Sequence, residues 1–403
     1  MKKNSPVVEK FPCVLRKLLL VALATLALMG TQQAAQAAQP DIDAIILPLM
    51  EKHRIPGLAL GILDNGKIRF YNYGVASKQT SEPVTENTLF EIGSLSKTFT
   101  ATLAAYAMQT GRLHPDDPAS RTFFELKGSA FDHISLMNLA THTSTAPLFV
   151  PDNVTNRPEL MHWYKNWKPS ATPGTKRVYS NLGIGLLGII TAKRLGQPFV
   201  QIMEKEMLPA MGMTHTYIHV PAAQMPCYAQ GYNRLDEPVR VNPGMLDAES
   251  YGVKSDTRDL IRWLGIQTGT VRVSDDWQKA IRQTHTGYYR TPDFTQAMMW
   301  EYYPLPVEKR KLVSGNNVER IMKAMPATPI EPPETTPRQA WFNKTGSTNG
   351  FSTYAVFIPS SKTAVIFLAN KWIPNDDRVI VVHDIIGKLE GQKDKPGLSA
   401  TVR

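Results

Sequence analysis

Gly93-Ser94-Leu95-Ser96-Lys97 is the stretch from which the rest of the chain can be read. Directly behind it, Thr98 to Gln109 carries apolar residues at helical spacing and stops at Gly111, which predicts a buried helix with a glycine end. Ser94 and Lys97 stand three apart and share one face at the helix N-terminus. A serine hydroxyl is a weak nucleophile until a base takes its proton, and a lysine is a base only where its surroundings lower its pKa. The positive end of the helix dipole favours negative charge developing beside Ser94. The spacing fits a nucleophile, and it equally fits an ordinary solvated helix start.

Upstream, Leu58 to Leu63 and Lys67 to Tyr71 flank Asn65-Gly66, a strong hairpin signal. An amphipathic helix is expected over Asp41–Lys52. Downstream, from about Leu113 to Leu208, helical patterns alternate with Pro, Asp and Asn breaks: 134–141, 158–167, 182–195 and 199–207. Helical spacing resumes at 256–268 and 277–284. Residues 325–337 hold five prolines, which excludes a helix or a central strand and predicts an ordered surface loop. Strands then follow at 340–344, 353–358 and 363–368, and a helix over 378–389 closes the fold. Strands at both ends with helices between predict an α/β (α+β) fold: an antiparallel sheet flanked by helices, built from both chain ends, with an inserted all-helical domain. The expected division is 38–108 with 230–392 for the composite α/β domain, 109–229 for the helical domain, and 393–403 for a tail.

The N-terminus reads as a leader. Lys2, Lys3, Lys10, Arg16 and Lys17 precede the apolar run Leu18–Met29, and Ala35-Gln36-Ala37 offers a small-x-small cleavage site, so residues 1–37 are expected to be a secretory signal peptide. The run is short for a membrane span, and no membrane association is expected after cleavage. Residues 1–38 carry +4 of the formal +10, leaving about +6 dispersed over the mature chain. With no basic helix or aromatic-interleaved patch, nucleic-acid binding is not expected. Only Cys227 follows the leader, so the mature chain has no intrachain disulfide and relies on its core. A periplasmic monomer is the expectation.

Three further pieces supply what Ser94 and Lys97 lack. Tyr179-Ser180-Asn181 precedes a glycine-rich apolar helix. A tyrosine facing two lysines could relay protons, and Asn181 could donate to a substrate carbonyl; the alternative is a helix cap. Lys344-Thr345-Gly346-Ser347 ends a strand, where Gly346 would let a substrate backbone lie against the strand edge. The Ser347 and Ser94 N–H groups could form an oxyanion hole, contributing roughly 3–4 kcal/mol per donor. Finally, Asn375 and Arg378 could hold a substrate carboxylate, or serve only as a helix cap and surface charge.

Taken in order, Ser-x-x-Lys, Tyr-x-Asn and Lys-Thr-Gly resemble the penicillin-recognising serine enzymes. The stretches 93–100, 243–254 and 344–351 narrow the resemblance to class C serine β-lactamases of the AmpC type, over about Ile42 to Leu389. The resemblance implies hydrolysis of the β-lactam amide of penicillins and cephalosporins, conferring resistance. It implies acylation of Ser94, acid and base duty shared by Lys97 and Tyr179, and Lys344 tuning Tyr179 and drawing the substrate carboxylate, with Thr345, Asn375 and Arg378 nearby. Asn181 would bind the acylamide side chain and Tyr251 would wall that side. No cofactor or metal is implied, and none of the nine histidines has ligand spacing. Two positions depart from the family. Phe149 falls where a glutamine commonly assists Asn181, after a turn, Thr143-Ser144-Thr145-Ala146, one residue shorter. Asn343 stands where a histidine often precedes Lys-Thr-Gly. The competing readings are a D-Ala-D-Ala carboxypeptidase or related esterase of the same fold, and a penicillin-binding module that acylates without turnover.

Overall fold

At Asn65-Gly66 both residues take positive φ (47° and 84°), which a two-residue hairpin turn of matching twist requires. The turn joins β1 (Gly57–Asp64) to β2 (Lys67–Gly74) in antiparallel register, Leu60 facing Tyr71. The computed structural model describes residues 41–335 and 337–393. The leader expected over 1–37 and the tail from 394 onward lie outside the described residues. The chain divides into two units, Met1–Ala44 and Ile45–Arg403. In the first, the Asp41 carboxylate accepts the Ala44 N–H at 3.1 Å. The first helix, α1, runs Asp43–His53.

The hairpin is one edge of a nine-stranded sheet. Its other strands are β3 (Gly287–Arg290), β4 (Thr295–Gln296), β5 (Glu301–Pro304), β6 (Thr328–Glu334), β7 (Ala340–Ser347), β8 (Ser352–Ile358) and β9 (Thr363–Ala369). They lie in the order β6-β3-β4-β5-β7-β8-β9-β1-β2, every pair antiparallel. The first and last strands of the sequence thus meet, β1 pairing with β9 from Leu58↔Ala369 to Asp64↔Thr363. The proline-rich segment is a correction to the expected loop: it forms β6, the opposite edge strand. A proline lacks the N–H a ladder needs, and an edge strand needs that donor on one side only. Its pairing with β3 is irregular between Pro329 and Glu334.

Helix α2 (Ser96–Gln109) carries Lys97 and is buried except at Tyr106 and Gln109. It packs against α4 (Asn181–Leu195) and α6 (Asp275–Thr284); α3 (Arg157–Asn166) lies between α2 and α4 in sequence. Two hydrophobic clusters meet on it. Phe99 and Leu103 belong to the cluster under the sheet, and Ala101, Ala104 and Ala105 to that of the helical segment. Phe99 stacks on Trp263 of α5 (Thr257–Gln267) at 4.4 Å, and α5 packs on β1 and β9. Losing either ring would cost roughly 3–5 kcal/mol. With core on both sides, α2 has little freedom to move. The last helix, α7 (Asn375–Lys393), packs on β8 and β9.

Candidate active site

Ser94 lies in a 3₁₀ turn, Gly93–Leu95, that leads into α2. The turn is clasped to the end of β7 by two glycines. A Cβ on Gly346 would sit 2.0 Å from the Ile92 carbonyl oxygen, and one on Gly93, whose φ is +51°, would sit 2.5 Å from the Ser347 nitrogen. Neither position tolerates a side chain, and the contact brings the Ser94 turn against the Ser347 backbone. Gly346 is therefore bare because the Ser94 turn packs on it, and it also lines a cavity that holds Ser94 and Lys344.

Lys97 is fully buried and donates from Nζ to Ser94 Oγ at 3.0 Å and to the Ser250 carbonyl at 2.9 Å. The second contact exists because the Leu246–Ser250 segment lies against α4; a Cβ on Gly188 would strike the Glu249 side chain at 2.6 Å. Burial pushes the Lys97 ammonium down, Tyr179 acts the other way and the Lys344 charge lowers it again, which leaves it at about 8. Among the described residues no carboxylate is paired with it.

The Tyr179 ring has Lys97 Nζ and Lys344 Nζ each 5.2 Å from its centroid, and the Arg177 guanidinium at 5.4 Å. Burial alone would raise its phenol. The Lys344 and Lys97 charges, with the Ser94 hydroxyl, outweigh that and bring it down to about 8. Tyr179 is not the helix cap. That role is Ser180's, whose Oγ accepts the Gly183 N–H at 2.7 Å and donates to the Pro147 carbonyl at 2.8 Å. Asn181 opens α4 with its Oδ1 buried and without a protein partner, free of capping duty.

Lys344, nearly buried, donates to the Thr345 carbonyl at 3.0 Å. Ser94 is shared by two adjoining cavities. One, about 450 Å³, is bounded by Phe149, Asn181, Tyr251 and Ser347. The other, about 200 Å³, is bounded by Lys344, Thr345, Gly346, Asn375 and Arg234. Phe149 is 71% exposed on the rim of the first. Arg378 is not where a substrate can reach. It is fully buried, and its guanidinium donates to the carbonyls of Gly346 (2.7 Å), Thr353 (2.9 Å) and Ile373 (3.1 Å), to Ser347 Oγ (2.9 Å) and to Asn375 Oδ1. The expectation of a direct carboxylate grip by Arg378 is thus corrected to an internal tie that fixes Ser347 and Asn375. Asn375 keeps its place on the cavity wall and anchors Nδ2 to the Asn316 carbonyl at 2.8 Å.

Four participants escaped the sequence reading. The Ser250 carbonyl is backbone and leaves no side-chain signature, although its stretch was read as characteristic. The His142 ring packs tilted against Tyr179, centroids 4.3 Å apart, and accepts the Ser180 N–H through Nδ1 at 3.2 Å. Burial first, then the neighbouring cations, hold it well below the usual imidazole range, hence neutral. Arg177 and Glu301 form a buried ion pair at 2.7 Å behind the phenol. The glutamate lies beside Asn343 across the β5–β7 ladder.

The sequence profile of the β-lactamase family matches residues 42–385. A curated β-lactamase of Providencia stuartii is 50% identical over 90% of this chain and 94% of its own length. Among solved structures, a class C β-lactamase in complex with cefoxitin is 48% identical, covers 86% of this chain and 97% of its own, and superposes with a TM-score of 0.84. A β-lactamase/D-alanine carboxypeptidase from Pseudomonas syringae is 42% identical over 88% of this chain and 98% of its own, with a TM-score of 0.85.

Proposed function

The chain belongs to the β-lactamase family as a serine hydrolase of the class C type, and we propose that Ser94 opens the lactam of penicillins and cephalosporins through an acyl-enzyme. The observation that carries this assignment of roles is the Lys97 ammonium 3.0 Å from Ser94 Oγ, with both Lys97 and Tyr179 brought to about 8. At neutral pH either group gives or takes a proton at small cost, and the two titrate as a pair.

In the proposed sequence, Ser94 Oγ attacks the lactam carbonyl while its proton passes to the Lys97–Tyr179 pair. The N–H groups of Ser94 and Ser347 hold the oxyanion. As the C–N bond breaks, Tyr179 returns the proton to the ring nitrogen, leaving an ester on Ser94. Water then attacks the ester, its proton taken near Tyr179, and Ser94 leaves with a proton from Lys97. Lys344, Thr345 and Asn375 take the substrate carboxylate; Asn181, Tyr251 and Phe149 face the acylamide side chain. Phe149 offers no hydrogen bond, so Asn181 alone serves the amide. We place the enzyme in the periplasm as a monomer, after removal of the leader at 1–37.

Turnover of nitrocefin, benzylpenicillin and an oxyimino-cephalosporin by purified protein tests the reading. Acylation at Ser94 with no release of product from any of them would overturn it. A D-alanine carboxypeptidase activity is the second reading, favoured by the neighbour whose name carries both activities. Release of D-alanine from a D-Ala-D-Ala peptide, faster than lactam turnover, would decide for it.

A further inference from the structure

With Arg378 enclosed, the exposed cation on the leaving-group side of the cleft is Arg234. Its guanidinium sits over the Trp372 indole, Cζ 3.6 Å from the ring centroid. Arg234 and Trp372 both line the 200 Å³ cavity that holds Lys344, Thr345 and Asn375, and both line the next cavity outward. The face of the guanidinium is taken by the indole, and its N–H edges make no hydrogen bond or ion pair with another described residue. Arg240, the other arginine near the rim, differs. It donates to the Tyr228 and Ala229 carbonyls and stacks on Tyr228.

The loop carrying Arg234 is held rigidly for a surface turn. Asn233 Oδ1 accepts the N–H groups of Leu235 (2.9 Å) and Glu237 (3.0 Å). Asp236 is clamped by Lys371 at 2.6 Å and by Lys78. The Trp372 N–H donates to the Tyr232 carbonyl at 3.1 Å, and the Tyr232 N–H to the Asn370 carbonyl at 3.0 Å. Shelf and cation therefore belong to one braced unit. An arginine with a covered face and open edges presents a planar fork matched to a carboxylate, at little ordering cost.

We propose that the Arg234–Trp372 shelf is a specificity element that selects substrates bearing a second anionic group on the leaving-group side, beyond the ring carboxylate. The proposal rests on the lactamase reading above. Trp372 holds the guanidinium in place, and Arg234 meets the substituent's carboxylate through its open N–H edges.

The test uses two cephalosporins with the same acylamino side chain, one with a carboxylate-bearing C3 substituent and one with a neutral substituent of similar size. Wild type should prefer the anionic substrate in kcat/KM, less so as salt rises. Arg234→Ala should lower kcat/KM on the anionic substrate about 5- to 10-fold, mainly through KM, and hold the neutral one within about twofold. Arg234→Lys should recover part of the loss, because charge remains but the fork does not. Trp372→Ala should reduce the same preference. An equal loss on both substrates, or no loss on either, overturns the proposal. Absence of turnover of either substrate by the wild type would instead defeat the lactamase reading, so the two failures are told apart.

Discussion

Replacing Lys344 by alanine removes a charge whose effect on Tyr179 can be worked from distance. Lys344 Nζ lies 5.2 Å from the Tyr179 ring centroid, and both groups are almost wholly buried. Unit charges at that separation interact by roughly 3 kcal/mol at an effective dielectric of about 20, which is about 2 pKa units. Lys344 favours the phenolate, so its loss raises the Tyr179 pKa from about 8 to about 10 or above. It also lowers Lys97, so its loss raises that pKa too. Both candidate bases move the same way. The base form is the deprotonated one, and kcat/KM in the native enzyme should rise with pH up to about 8. In Lys344→Ala that limb should move about 2 units alkaline, whereas Lys344→Arg should leave it near its native position. Substrate binding through Lys344 changes the height of the profile, not the position of the limb. Tyrosinate absorbance of the free enzyme checks the assignment directly. Tyr164, Tyr228, Tyr288, Tyr302, Tyr303 and Tyr354 are all pushed up, so one phenolate appearing near pH 8 and absent in Tyr179→Phe belongs to Tyr179. A limb that shifts by less than about half a unit in Lys344→Ala would refute the charge argument.

Ser94→Ala should abolish turnover and leave the unfolding free energy within about 0.5 kcal/mol of wild type, read by nitrocefin assay and urea melts side by side. Gly346→Ala forces a methyl to within 2.0 Å of the Ile92 carbonyl oxygen, so it should cost about 1–3 kcal/mol and slow acylation even where the protein folds. Glu301→Gln leaves Arg177 charged without its partner in a site neither side chain shares with water, and should cost about 3–5 kcal/mol in a denaturant titration. Arg378→Met should act on stability and on kcat/KM for every substrate alike. An effect confined to KM would show that the guanidinium meets the substrate after all.

The serine, lysine, tyrosine and Lys-Thr-Gly elements are legible in the sequence through their order and the family resemblance it carries, because each alone also fits a structural role. The hairpin at Asn65-Gly66 was equally plain, since two positive φ angles demand such residues. Strands β3, β4 and β5 were not, because runs of two to four residues broken by Thr291-Pro292-Asp293 are too short to show a period. The strand β6 hid behind its prolines, which argue against a central strand but permit an edge. Arg378 was misread for a different reason. Its acceptors at Gly346, Thr353 and Ile373 come from separate stretches of chain, and no local pattern shows which way an arginine near a helix start will turn. At Asn343 the tertiary setting is again what counts. Its Oδ1 accepts from Tyr354 (2.8 Å) and Asn316 (2.9 Å), a network that fixes β7 from behind.

The cations of the site have one feature in common. Lys97, Lys344 and Arg378 are buried, and each is held by backbone carbonyls: Ser250 for the first, Thr345 for the second, and Gly346, Thr353 and Ile373 for the third. A carboxylate partner would satisfy a buried ammonium more cheaply, but it would also cancel its charge. Carbonyl dipoles offset part of the desolvation cost and leave the positive potential in place. Glu301 neutralises only Arg177, behind Tyr179, while the two lysines on the substrate side stay uncompensated. That arrangement serves two ends with the same charges. It lowers a buried phenol to the pH at which it can exchange protons, and it makes the cleft attractive to a substrate carboxylate. Binding that carboxylate would then partly discharge the field, raising the Tyr179 pKa and making the phenol a better base for the Ser94 proton once substrate is in place. The pH limb of kcat should therefore lie alkaline of the limb of kcat/KM. Coincident limbs would mean that the substrate carboxylate sits too far from Lys344 to be felt.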